Sequence, residues 1–87
     1  MVCFNHNDFI CEEIDDSSVI LKISTQDVFL LNVTSNYIFN ELLRQKSIEI
    51  IINEYWHKKQ YANYDTIHKD FIGIRNTLFE KGILYEH

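Results

Sequence analysis

The sequence contains no proline and only two glycines, Gly73 and Gly82. Without proline nothing imposes a helix break or a rigid corner. With so little glycine, turns must be built from Asp, Asn and Ser, whose side chains bond their own backbone. Regular secondary structure is therefore expected almost end to end. No apolar run approaches the ~18–20 residues that a membrane span requires. Met1 to Asn7 has no basic segment followed by an apolar stretch, so no secretory signal is visible and the expected compartment is cytoplasmic. There, Cys3 and Cys11 are expected to be free thiols. Basic residues are also scarce: 8 Lys and Arg stand against 13 Asp and Glu, a net charge of −5. Apart from Lys58-Lys59 they are scattered. Displacing counterions from phosphates needs a basic stripe, so nucleic acid is not the expected partner. An acidic surface suits a basic or neutral one.

A catalytic constellation is missing too. Cys3, Cys11, His6, His57, His68 and His87 are dispersed along the chain. No nucleophile elbow, phosphate loop or metalloprotease motif occurs. Asp15-Asp16-Ser17-Ser18 reads as a turn, not as a catalytic acid pair. Cys3, His6 and Cys11 lack the paired spacing of a persuasive zinc site. The expectation is a protein that is not an enzyme and carries no metal or cofactor.

What the sequence has is apolar material: 46% hydrophobic and 14% aromatic residues, too much for an intrinsically disordered chain. Its 87 residues amount to a single domain over positions 1–87, with residues 1–8 expected as a loose tail. Strands come first and helices follow, the order of an α+β fold. Phe9 to Glu13, Val19 to Ile23 and Asp27 to Leu31 are the candidate strands. The short polar turns between them favour an antiparallel three-strand meander. The third strand is apolar on both faces, a pattern expected where both faces are covered.

Helix one is expected to begin near Thr34 or Ser35, with an apolar stripe of Ile38, Phe39, Leu42 and Leu43, and to break at Gln45-Lys46. Ser47 is placed to cap helix two, whose buried face is Ile48, Ile51, Ile52, Tyr55 and Trp56. His57 to Asn63 reads as a loop, and Asn63 or Asp65 as the cap of helix three. Gly82 ends that helix, and Ile83 to Tyr85 pack back on the core.

Helix three has more apolar surface than one contact requires. At about 100° per residue, Ile67, Phe71, Ile74 and Leu78 form one line that holds the helix to the domain. A second line beside it comprises Tyr64, His68, Ile72, Arg75 and Phe79. Large apolar groups mixed with polar ones suit a ligand groove. Equally, Ile72 and Phe79 can widen the core stripe, as in many globular helices.

From Val19 onward the chain resembles the PqqD-like family, the RiPP recognition elements. The resemblance is carried by Val19-Ile20-Leu21, the turn Ser24-Thr25-Gln26-Asp27, the strand Val28-Phe29-Leu30-Leu31-Asn32 and the helix start Thr34-Ser35-Asn36-Tyr37-Ile38-Phe39. Ser47-Ile48-Glu49-Ile50-Ile51 and the closing Phe79-Glu80-Lys81-Gly82-Ile83-Leu84 are also similar to the family's pattern. The chain departs from it at Phe39, where the family often has tryptophan, and at Gln45-Lys46, where it often has glycine.

The resemblance implies a winged-helix-like α+β fold, a three-stranded antiparallel sheet followed by three helices. It also implies a function: binding the leader peptide of a ribosomally made precursor by adding it as a strand beside the third strand and helix three. Asp27, Val28, Phe29, Leu30 and Leu31 would then supply the backbone edge. Ile72 and Phe79 would form the floor, His68 and Arg75 polar contacts, and Tyr64 one end. A separate maturation enzyme, such as a protease, cyclase or radical-SAM enzyme, would be the second partner. Two alternatives stay open: a winged-helix DNA-binding regulator, and a small scaffold or inhibitor that binds a folded protein.

Overall fold

The computed structural model describes residues 1–59 and 63–87. The elements run β1 (Val2–Phe4), β2 (Phe9–Ile14), β3 (Ser17–Lys22), β4 (Val28–Leu31), α1 (Val33–Leu43), α2 (Ile48–Lys58), α3 (Tyr64–Glu80) and β5 (Leu84–Glu86). This is the expected α+β order. Of the loop expected from His57 to Asn63, His57 and Lys58 belong to α2, and residues 60–62 lie outside the described residues.

Strands β2, β3 and β4 form the antiparallel meander, in the order β2-β3-β4. The first turn needs only Asp15 and Asp16, because Asp15 adopts a left-handed φ of 55° that a short polar side chain tolerates. Ser17 and Ser18, expected in that turn, therefore join β3. In the second turn the Lys22 N–H donates to the Asp27 carbonyl at 2.8 Å, and the Thr25 hydroxyl donates to the Asp27 carboxylate at 2.8 Å.

Alternation splits the sheet into two unlike faces. Phe9, Ile20 and Leu31 are buried on the inner face, over which α1 packs. Buried Ser18 donates to Asn36 Oδ1 at 2.5 Å, and Asn36 Nδ2 donates to the Asp16 carbonyl at 3.1 Å. Asn36 thus ties the β2–β3 hairpin to α1. The outer face departs from expectation. Val28 and Leu30 are 58% and 76% exposed, because the helices gather on one side of the sheet and leave the other open.

The helix ends follow capping chemistry. Asn32, ahead of the expected Thr34 or Ser35, caps α1 by accepting the Ser35 N–H at 2.9 Å. Ser47 caps α2 and Asn63 caps α3, accepting from Ile50 and Thr66 at 3.3 and 3.1 Å. Gly82, at φ 77°, closes α3: its N–H donates to the Phe79 carbonyl and the Ile83 N–H to the Leu78 carbonyl, both at 3.1 Å. That stop turns Ile83 and Leu84 into the core beside Ile38, Ile51, Ile52 and Phe71. No described helix is long and apolar enough to cross a membrane.

The segment expected as a loose tail is a correction. Val2–Phe4 pairs antiparallel with Leu84–Glu86, and Phe4 meets Phe39 edge-on at 5.9 Å. Gln45 holds this strand from the other side. Its Oε1 accepts the Val2 N–H and its Nε2 donates to the Val2 carbonyl, both at 2.8 Å. Gln45 does this at φ 69°, the left-handed conformation that favours glycine, which the family often has just after this helix. Both Gln45→Ala and Gln45→Gly lose the two hydrogen bonds, but only glycine relieves a backbone cost of about 1 kcal/mol. Urea denaturation is expected to rank wild type above Gln45→Gly, and Gln45→Gly above Gln45→Ala by about 1 kcal/mol.

Candidate functional site: a cleft beside an edge strand

Strand β4 lies at the edge of its sheet; its sheet neighbour among the described residues is β3. Hydrogen-bonded and non-bonded pairs alternate along an antiparallel ladder. The Lys22–Asp27 bond sets the phase, so Ile20↔Phe29 and Ser18↔Leu31 are the bonded pairs. Val28 and Leu30 fall between them and turn their N–H and C=O groups outward, to the free edge.

That edge borders an open cleft of about 980 Å³ between β4 and α3. The two elements keep their Cα atoms more than 8 Å apart. Val28, Phe29, Leu30 and Leu31 line the strand side, and Lys69, Asp70, Gly73, Ile74, Thr77 and Lys81 line the helix side. Core residues Ile67, Phe71, Leu78 and Ile83 reach it from below. The Lys81 ammonium stands 5.0 Å over the Phe29 ring, placing a cation against an apolar wall at one end. At Gly73 the helix surface is bare, and an added Cβ would meet nothing within 4 Å.

The residues expected from the sequence divide. Val28 to Leu31 line the cleft. Asp27 does not; it closes the preceding turn. Tyr64, His68, Ile72, Arg75 and Phe79 are not among the lining residues, because they occupy the opposite flank of the buried line Ile67, Phe71, Leu78. There the Tyr64 hydroxyl donates to Asn53 Oδ1 at 3.0 Å, and its ring meets Trp56 edge-on at 5.6 Å. His68 Nε2 lies 3.5 Å from Glu49 Oε1. Ile72 and Phe79 pack against the core, and the Arg75 guanidinium lies 5.6 Å from the Phe79 ring centre. Ile74, assigned to the core line from its spacing, packs against the core and also lines the cleft.

Sequence reading missed Gly73, Thr77 and Lys81. A lone glycine in the middle of a helical pattern was the available signal, since it lowers helix propensity without making a turn. Elsewhere, burial pushes the Cys11 thiol up, which disfavours the nucleophilic thiolate. Among the described residues, no cluster of three or more His, Cys, Asp or Glu side chains is arranged to hold a metal.

No protein-family model matches this sequence. No curated protein matches it either. Among solved structures the chain is similar to TbiB1 in complex with the TbiA(beta) leader peptide, with a TM-score of 0.76, 21% identity, and 97% of this chain and 95% of that one covered. The chain therefore has the α+β fold of a protein solved with a leader peptide bound, the fold that its resemblance to the PqqD-like family implies.

Proposed function

We propose that this chain binds the leader segment of a ribosomally made precursor peptide by strand addition at β4, and presents it in the cytoplasm to a separate maturation enzyme. In this role it is a binding module without catalysis. The observation that carries the reading is the outward-facing backbone of Val28 and Leu30 beside an apolar cleft, in a fold also taken by the leader-bound TbiB1. A peptide laid antiparallel or parallel on that edge would bond to those groups and send alternate side chains into the cleft. Each backbone bond nets about 1 kcal/mol. Micromolar affinity corresponds to about 8 kcal/mol, so apolar anchors against Phe29, Leu31 and Ile74 must supply much of the rest. Lys81 and Lys69 would meet a leader carboxylate, in place of the polar contacts that the resemblance led us to expect from Arg75.

The test is a titration with the leader of a precursor peptide encoded beside this gene. Micromolar binding is expected. Ile74→Asp is expected to weaken it at least ~10-fold, about 1.4 kcal/mol. Phe79→Ala and Arg75→Ala, on the far flank, are expected to stay within a few-fold. The reverse ranking would return the site to that flank. Salt-sensitive DNA binding without leader binding would favour the winged-helix regulator.

A further inference from the structure

The outer face of the sheet is apolar and has no cover among the described elements. The strand register sets Ile10, Leu21 and Val28 in one row and Glu12, Val19 and Leu30 in the next. Ile10 and Ile14 are 56% and 55% exposed, in line with Val28 and Leu30. Where Ile14, Val19 and Leu30 approach Val33, they border a depression of about 630 Å³. Contiguous apolar surface of this kind marks an interaction site on a soluble domain. The β2–β3 hairpin makes one end of it acidic: Glu12 stands on this face, Asp15 and Asp16 border the depression, and no Lys or Arg occurs from Asp8 to Leu21.

We propose that this face docks a second protein, one presenting an apolar surface edged by lysines or arginines. Charge decides against one other occupant and position against the second. A second copy would bring the same acidic hairpin, in a chain of net charge −5, toward its like. A leader peptide at the β4 edge meets the outer face only at its margin, while its anchors turn to the cleft. The proposal deepens the presenting half of the function above, and only one consequence of it rests on strand addition. An added strand lies about 4.8 Å from β4, so its alternate side chains would extend the row beside Val28 and Leu30. The docked protein would then touch carrier and cargo together.

The experiment places benzoylphenylalanine at position 14, in cells of the source organism, and identifies what it crosslinks on illumination. The expected result is an adduct with one different protein. Titrated in purified form, that protein should bind at least tenfold more weakly to Ile10→Ser/Ile14→Ser. Glu12→Lys/Asp16→Lys should flatten the salt dependence of its binding. Leader titration should be unchanged in both variants, since β3 separates the β2 residues from β4, and none of the four lines the cleft. An adduct with a second copy, an adduct with the precursor, or a yield no greater than from the same probe at exposed Asn76 would each overturn the proposal. Adducts that persist when leader binding fails would leave the docking face standing and remove the strand-addition reading.

Discussion

Replacing Gly73 by phenylalanine is expected to weaken leader binding at least ~10-fold in a domain that is no less stable. Gly73 sits within α3, on its cleft side, and space beyond its missing Cβ is open. Its backbone carries no left-handed strain that a side chain would aggravate. In a helix interior glycine costs about 1 kcal/mol relative to alanine, and phenylalanine recovers roughly half of that. A ring at this lining position can lie over the cleft mouth, where it would occupy volume that a peptide side chain needs. Leader affinity is expected to fall at least ~10-fold, about 1.4 kcal/mol. Gly73→Ala separates the two effects. It is expected to raise stability by about 1 kcal/mol and leave affinity within a few-fold, since one methyl leaves most of the cleft free. Urea denaturation and leader titration on the three proteins decide the matter. Full affinity in Gly73→Phe would take the peptide out of the cleft.

The positions of these residues show how far the sequence could be read. Strands, helices and stops were legible where a local cause exists: the polar turns that part the three strands, the caps Ser47 and Asn63, and the glycine stop at Gly82. The pairing of β1 with β5 was not legible. It joins Val2–Phe4 to Leu84–Glu86, short segments from opposite ends of the chain, and neither has a pattern of its own. The cleft was half legible. The strand side followed from a strand apolar on both faces. On the helix side, periodicity separates two flanks of α3 but does not say which one turns toward β4. That choice is made by tertiary contacts: Tyr64 with Trp56 and Asn53, and His68 with Glu49, commit the aromatic flank to α2. The flank with Gly73, Ile74 and Lys81 is thereby left facing the strand. The sequence line at Tyr64 to Phe79 was real as a pattern, and most of its apolar surface packs inward.

Proline at position 30 is expected to weaken leader binding ~10-fold or more while the domain still folds, and proline at position 29 to unfold it. The two neighbours differ only in which way their N–H points. Phe29 pairs with Ile20 in a bonded position, so its N–H belongs to the ladder that holds β4 to the sheet, and its side chain packs against the core. Phe29→Pro loses both: a ladder hydrogen bond that proline cannot make and much of an aromatic side chain's packing, about 3 kcal/mol. The Leu30 N–H faces the free edge, a place where an edge strand accepts proline. Its side chain is 76% exposed on the outer face, so little packing is lost. An incoming strand would meet a ring in place of a donor. One bond is worth about 1 kcal/mol, and the ring also holds the two backbones apart, so affinity is expected to fall ~10-fold or more. Leu30→Ala removes the side chain and keeps the N–H, and its affinity subtracted from that of Leu30→Pro isolates the backbone contribution. Thermal melts read the folding half of the comparison and leader titration the binding half. A Leu30→Pro domain that folds and binds the leader at full strength would show that the peptide does not take this edge.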